Sequence, residues 1–130
     1  MAKTSSSAIV LIVVAAAVVV GLIAFIATRS GASPALDAFA QCLTDKGVKM
    51  YGAWWCPHCA AQKQSFGGAF KKVTYVECAT PDGKGQTQVC KDAGISSYPT
   101  WEFPDKSRVT GVQTFDQLAQ KTGCTAPAAP

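Results

Sequence analysis

Two cysteines separated by two residues, in the run Trp55-Cys56-Pro57-His58-Cys59, form the most reactive constellation in the chain. A thiolate is the nucleophile of disulfide exchange, and a pair at this spacing can close on itself and reopen. The stretch from Val48 to Trp55 reads as a strand leading to Cys56, and Pro57 suits the first turn of a helix. The pair is therefore expected at a strand-to-helix junction. Free amides at a helix N-terminus carry partial positive charge and favour a thiolate at Cys56, with Cys59 one turn further in. His58, as an imidazolium or a hydrogen-bond donor, would favour the same thiolate, and a stabilised thiolate makes the disulfide form more oxidising. Half of a zinc site is the competing reading. Zinc needs a second ligand pair, His58 is the only histidine and lies between the two cysteines, and Cys78 and Cys90 are too far apart for a knuckle. No metal is expected.

A pair of this kind needs a scaffold of strands and helices around it. Pro34 opens a helix in which Leu36, Phe39, Ala40 and Leu43 recur at helical spacing, and Gly47 ends it. A second helix should run from Pro57 to Phe66 or Phe70, weakened by Gly67-Gly68, with Phe66 and Phe70 in the core. Val73–Val76 reads as a buried strand, Ala79–Gly85 as a turn-rich loop, and Gln86–Ala93 as a short helix closed by Gly94. Tyr98–Phe103 and Arg108–Thr110 can pair around Pro104-Asp105-Lys106. Thr114 can cap a last helix from Phe115 to Lys121, with Gly123 beyond it. Alternating strands and helices predict an α/β layered domain.

Ala8–Ala27 carries no charge and is long enough to cross a hydrocarbon core of roughly 30 Å as a helix. An uncleaved anchor is expected in preference to a signal peptide, whose apolar core runs about 7–15 residues. Basic residues flank the segment on both sides (Lys3, Arg29) and orient it weakly. The six cysteines decide the matter: all lie after the segment, and disulfides persist outside the cytoplasm. The expected organisation is a cytoplasmic stub (1–7), a transmembrane anchor (8–28), a linker (29–33), one domain (34–124) and a disordered Pro/Ala-rich tail (125–130). The domain would lie in a periplasm, a thylakoid lumen or the extracellular space. The formal charge is +4, and basic residues occur at most in pairs such as Lys71-Lys72 with no interleaved aromatics, so no nucleic-acid partner is expected.

Trp-Cys-x-x-Cys after an apolar strand, followed later by Tyr98-Pro99-Thr100, resembles the thioredoxin superfamily. The longer runs Lys49–Lys63, Tyr75-Val76-Glu77-Cys78, Val89-Cys90-Lys91, Gly94-Ile95 and Tyr98–Trp101 are most similar to the thioredoxin-like domain of bacterial and plastid vitamin K epoxide reductase homologues. The resemblance implies a central mixed sheet with flanking helices behind the anchor. It also implies a cis proline at Pro99 beside the two sulfurs, and a second disulfide between Cys78 and Cys90. Independently of it, such a bridge would close a loop of about a dozen residues, worth roughly 3 kcal/mol in the chain-entropy model. Cys42 and Cys124 are paired only by elimination, and nothing local says that they meet. Trp55 and Tyr98 could line an apolar groove for an unfolded substrate.

The sequence departs from these families in two ways. The quinone-reducing bundle has several membrane helices with their own cysteines, whereas this chain has one apolar segment with none. Met50 stands where ordinary thioredoxins carry a buried acid. The resulting expectation is an anchored protein thiol–disulfide oxidoreductase with no cofactor beyond its cysteine pair. It would oxidise cysteines of exported proteins and pass electrons to a separate, quinone-linked, vitamin K epoxide reductase-like membrane partner. The alternatives are an extracytoplasmic reductase or isomerase, and an anchored binding module without catalysis.

Overall fold

The computed structural model describes residues 6–29 and 33–128. Residues 1–5 of the expected stub, 30–32 of the expected linker and 129–130 of the expected tail lie outside them. The chain divides into two units, residues 1–31 and 32–130. In the first, helix α1 spans Ser6–Arg29. Its stretch Ser7–Phe25 has a mean hydropathy of 3.2 and none of it is buried in protein. By length and composition α1 could cross a membrane, and a signal sequence near an N-terminus has the same character.

The second unit is a four-stranded mixed sheet with helices around it. Helix α2 (Pro34–Asp45) starts where Ser33 accepts a hydrogen bond from the Leu36 amide at 3.2 Å and Pro34 occupies the first turn. It leads through a left-handed Gly47 (φ 81°) into β1 (Lys49–Gly52). Helix α3 (Pro57–Phe66) and a 3₁₀ segment (Gly67–Lys72) carry the chain to β2 (Tyr75–Glu77). The short α4 (Gln88–Asp92), the hairpin β3 (Thr100–Glu102) and β4 (Arg108–Thr110), and α5 (Phe115–Thr122) complete the domain. Thr114 and Gln117 form a reciprocal capping box at the start of α5.

The strand order is β2-β1-β3-β4, with β1 parallel to β2 and antiparallel to β3. Alternation along β1 separates two cores. Met50 faces the larger one, with Phe39, Leu43, Phe66, Trp101 and Leu118, while Tyr51 faces the smaller one with Cys78, Cys90 and Ile95.

Three strands are shorter than the sequence suggests: β1, β2, and β3, which covers only Thr100–Glu102 of the expected Tyr98–Phe103. β1 stops at Gly52 because the backbone turns, with the Cys56 amide donating to the Ala53 carbonyl at 3.0 Å. Trp54 and Trp55 therefore lie on a turn, exposed at 57% and 50%. β2 begins only at Tyr75, since Val73 still closes the 3₁₀ segment through Phe70. Thr125–Ala128 have no regular structure and line a shallow cavity together with Ala35, Ala38 and Cys42 of α2.

Candidate active site: a dithiol at a helix mouth

Cys56 is the N-cap residue of α3 (φ −80°, ψ 121°), and Pro57 follows it in the first turn, where a missing amide hydrogen costs nothing. The strand–turn–helix junction thus leaves the Cys56 sulfur at the open end of the helix. Cys59 lies one turn inside. Cys56 is 5% exposed and Cys59 is 1% exposed, and neither is in a disulfide. Burial pushes the Cys59 thiol up to about 11, reinforced by its hydrogen bond with Cys56 and opposed by a backbone hydrogen bond from Ala53 and by the Lys63 charge. Both thiols are buried, and they differ in position: Cys56 caps the helix and Cys59 lies one turn along it.

Gly52 lets that second sulfur in. A Cβ there would lie 2.9 Å from the Cys59 sulfur and 2.9 Å from Tyr75 Cε2, so any side chain at this position would displace the pair.

The Tyr98–Pro99 peptide bond is cis, and the Cys56 sulfur lies 3.8 Å from the Tyr98 carbonyl oxygen. Backbone, not side chain, is what Tyr98 turns toward the thiol. Its ring meets Trp55 edge to face, with centroids 6.1 Å apart, and its hydroxyl accepts from Gln86 Nε2 at 2.7 Å. Cys56, Cys59, Trp55, Tyr98 and Pro99 are thus brought together. His58 is exposed and makes no hydrogen bond or ion pair among the described residues.

The remaining cysteines are bridged, Cys42 to Cys124 and Cys78 to Cys90, with Cα separations of 6.0 and 5.5 Å. The first ties α2 to Cys124, two residues past the end of α5, and the second ties the residue after β2 to α4.

No family model matches the chain. It is 46% identical over 99 residues to the thiol-disulfide oxidoreductase LTO1 of Arabidopsis thaliana, an alignment covering 72% of this chain and 26% of that protein. It is 36% identical over 81 residues to protein disulfide isomerase-like 2-1 of Oryza sativa, covering 56% and 22%. It is also 36% identical over 86 residues to a probable protein disulfide-isomerase A6 of Medicago sativa, covering 58% and 23%. Its fold is thioredoxin-like. The chain spans about a quarter of the length of these relatives.

Two residues that hold the domain around the site, Gln62 and Glu77, carry no warning in the sequence. Gln62 on α3 is fully buried: its Oε1 accepts from the Gln113 amide (2.7 Å) and the Trp101 indole (3.3 Å), while its Nε2 donates to the Gln113 carbonyl (3.1 Å). Glu77 holds the turn before Cys56, accepting from the amides of Trp54 (3.1 Å) and Ala79 (2.9 Å). Neither role had a signal in the sequence, because the turn that Glu77 holds falls where Val48–Trp55 reads as a strand.

Proposed function

We propose that this chain is a membrane-anchored thiol–disulfide oxidoreductase that oxidises cysteine pairs of exported proteins and hands the electrons to a quinone-linked, vitamin K epoxide reductase-like membrane protein. The observation that carries the exchange chemistry is the unbridged Cys56/Cys59 pair, set at the N-terminus of α3 with Cys56 beside the carbonyl of a cis Tyr98–Pro99 bond. The oxidoreductase and disulfide isomerase names of the relatives support it.

In the oxidising direction a substrate thiolate attacks the Cys56 sulfur of the Cys56–Cys59 disulfide. That bond breaks, a mixed disulfide forms on Cys56, and Cys59 leaves. The substrate's second thiolate then attacks the substrate sulfur in the mixed disulfide and expels Cys56. Two electrons and two protons have passed from substrate to protein, and Cys56 next attacks the partner's disulfide. The helix-capping position of Cys56 suits every step that involves another molecule, and the exposed ring of Trp55 beside Tyr98 suits an unfolded, apolar segment.

The extracytoplasmic location draws support from the two bridged pairs in a small domain and from the apolar helix α1. The experiment is to trap the thiols of Cys56 and Cys59 in cells with and without the candidate partner. An oxidised pair that becomes reduced when the partner is removed is the expected result. A pair found reduced in both conditions would move the reading to the reductase or isomerase that the relatives' names also support. Orientation is checked with an impermeant protease applied outside the inner membrane, which should digest the domain.

A further inference from the structure

Cys59 has a proton problem. It attacks as a thiolate whenever a mixed disulfide on Cys56 is resolved, yet it is 1% exposed and burial raises its thiol to about 11. At neutral pH such a thiol is almost wholly protonated. The strand beneath it supplies no base. On β1 the fully buried Met50 has nothing to titrate, and Tyr51 faces the other core.

The neighbouring strand does supply one. A Cβ built on Gly52 would lie 2.9 Å from Cys59 Sγ and 3.1 Å from Tyr75 Oη, so the sulfur and the phenol flank a single point. Tyr75 Oη donates to Glu77 Oε2 at 2.9 Å. The other Glu77 oxygen is held by the amides of Trp54 and Ala79, which fixes the carboxylate, and Glu77 remains partly exposed. Lys63 of α3 places its ammonium 3.8 Å from the centre of the Tyr75 ring. The titratable groups facing Cys59 are therefore Cys56 at the N-cap, Lys63 from α3 and Tyr75 from β2, and Glu77 is reached through Tyr75.

We propose that Tyr75 and Glu77 form the proton path of Cys59, linking a buried sulfur to water. As Cys59 attacks the Cys56 sulfur, its thiol proton passes to Tyr75 Oη, and the Tyr75 proton passes to Glu77 Oε2 and on to solvent. One S–S bond forms between Cys59 and Cys56, the bond from Cys56 to the departing group breaks, and that group leaves as a thiolate. When Cys59 is instead expelled, the same path runs backwards and returns a proton to it. Tyr75 is the group beside the reacting sulfur, and Glu77 acts through Tyr75.

This inference rests on the reading of Cys56 and Cys59 as an exchange pair, and the experiment separates the two. The reduced full chain in detergent is mixed with an excess of a chromophoric aryl disulfide. Attack by Cys56 releases one coloured thiolate, and attack by Cys59 on the resulting mixed disulfide releases a second. Tyr75→Phe removes only the hydroxyl. Glu77→Gln keeps an acceptor for the Trp54 and Ala79 amides but turns a donor toward Tyr75.

In both variants the first phase should stay within about twofold of wild type, while the second slows by roughly tenfold or more at pH 7. The second phase of the variants should also rise nearly tenfold per pH unit over about pH 6–9, because only thiolate formed beforehand can react, whereas that of the wild type should be much flatter. A wild-type second phase in both variants, in rate and in slope, overturns the proton path. Absence of the first phase in the wild type defeats the exchange reading instead. If one variant fails to fold by near-ultraviolet dichroism, the other carries the test. A solvent deuterium effect on the wild-type second phase provides an independent readout, and its absence overturns the path as well.

Discussion

Two cysteine pairs lie side by side at the ends of neighbouring parallel strands, and burial does not tell them apart. Cys56 and Cys59 follow β1, Cys78 follows β2 and reaches Cys90, and none of the four is more than 5% exposed. The difference lies in what surrounds them. Cys78 and Cys90 sit in a closed cluster with Tyr51 and Ile95, capped by Val76 and Ala93. Cys56 sits at a helix mouth beside two exposed tryptophans, with a backbone carbonyl next to its sulfur. The proposed difference in reactivity therefore rests on the helix end and the exposed tryptophans, since depth alone would assign both pairs the same role.

The largest expected effect falls on the first pair. Cys56→Ser should abolish exchange with a reduced, unfolded substrate, while Cys59→Ser should retain attack on a substrate disulfide and accumulate a mixed disulfide that non-reducing electrophoresis resolves. If Cys59→Ser gives no adduct and Cys56→Ser does, the attacking and resolving roles are reversed.

The bridged pairs should behave in the opposite way, with stability lost and chemistry kept. Cys42–Cys124 joins residues 82 positions apart and Cys78–Cys90 joins residues 12 apart. In the chain-entropy model these closures are worth about 4.5 and about 3 kcal/mol. Replacing each pair by alanines should lower the urea midpoint in that order and leave the rate of Cys56 attack within a few-fold. Thiol labelling during graded reduction should reach Cys56 and Cys59 first. Equal labelling of all cysteines would erase the distinction between a working pair and two staples.

A smaller effect tests the lock on the stapled face. Glu102 is buried on β3 and accepts from Arg108 Nη2 (2.5 Å) and Nε (2.9 Å), while Arg108 Nη1 donates to the Ala93 carbonyl (2.7 Å) beside the Cys78–Cys90 cluster. Burial pushes the Glu102 carboxyl up, but the Arg108 hydrogen bonds and charge, with Lys106 and Lys49, hold it below the ordinary glutamate range. A depressed folded-state pKa contributes stability above the unfolded value of about 4.3, and that contribution is lost as pH falls through the folded value. Glu102→Gln should cost about 1–3 kcal/mol at neutral pH and flatten the stability profile below about pH 4. An unchanged acid limb would place the acid sensitivity elsewhere.

Much of this arrangement was legible because it is local. The cysteine spacing, Pro57 and Pro34 in first turns, the Thr114 cap and Gly47 as a stop are each read within a few residues, and the structure places them in those local settings. What stayed hidden depends on residues far apart in sequence. Gln62 reads as a surface glutamine and becomes a buried clamp only because Gln113 and Trp101 arrive from elsewhere. Glu77 lies just past the strand expected at Val73–Val76, and its role appears only when the parallel register sets it opposite Gly52 and near the Trp54 turn. The meeting of Cys42 with Cys124 required the first and last helices of the domain to be neighbours, which no local pattern encodes.

The smallest effect concerns His58, and it sharpens the account of the helix mouth. The sequence suggested a histidine tuning the Cys56 thiolate, a contact that at one to two pKa units would shift the couple by about 30–60 mV. His58 is instead exposed and without a hydrogen-bond partner among the described residues, so solvent screens whatever charge it carries. Cys56 itself is the N-cap residue of α3, so the helix N-terminus is the fixed feature beside its backbone. Any stabilisation that His58 gives the Cys56 thiolate is lost on its removal, so His58→Ala should lower the reduction potential, but by no more than about 30 mV. Equilibration of both proteins with glutathione buffers measures the shift. A drop well beyond 60 mV would mean that His58 turns inward to the sulfur and that the histidine sets the oxidising character. No drop would mean that His58 does not tune this pair.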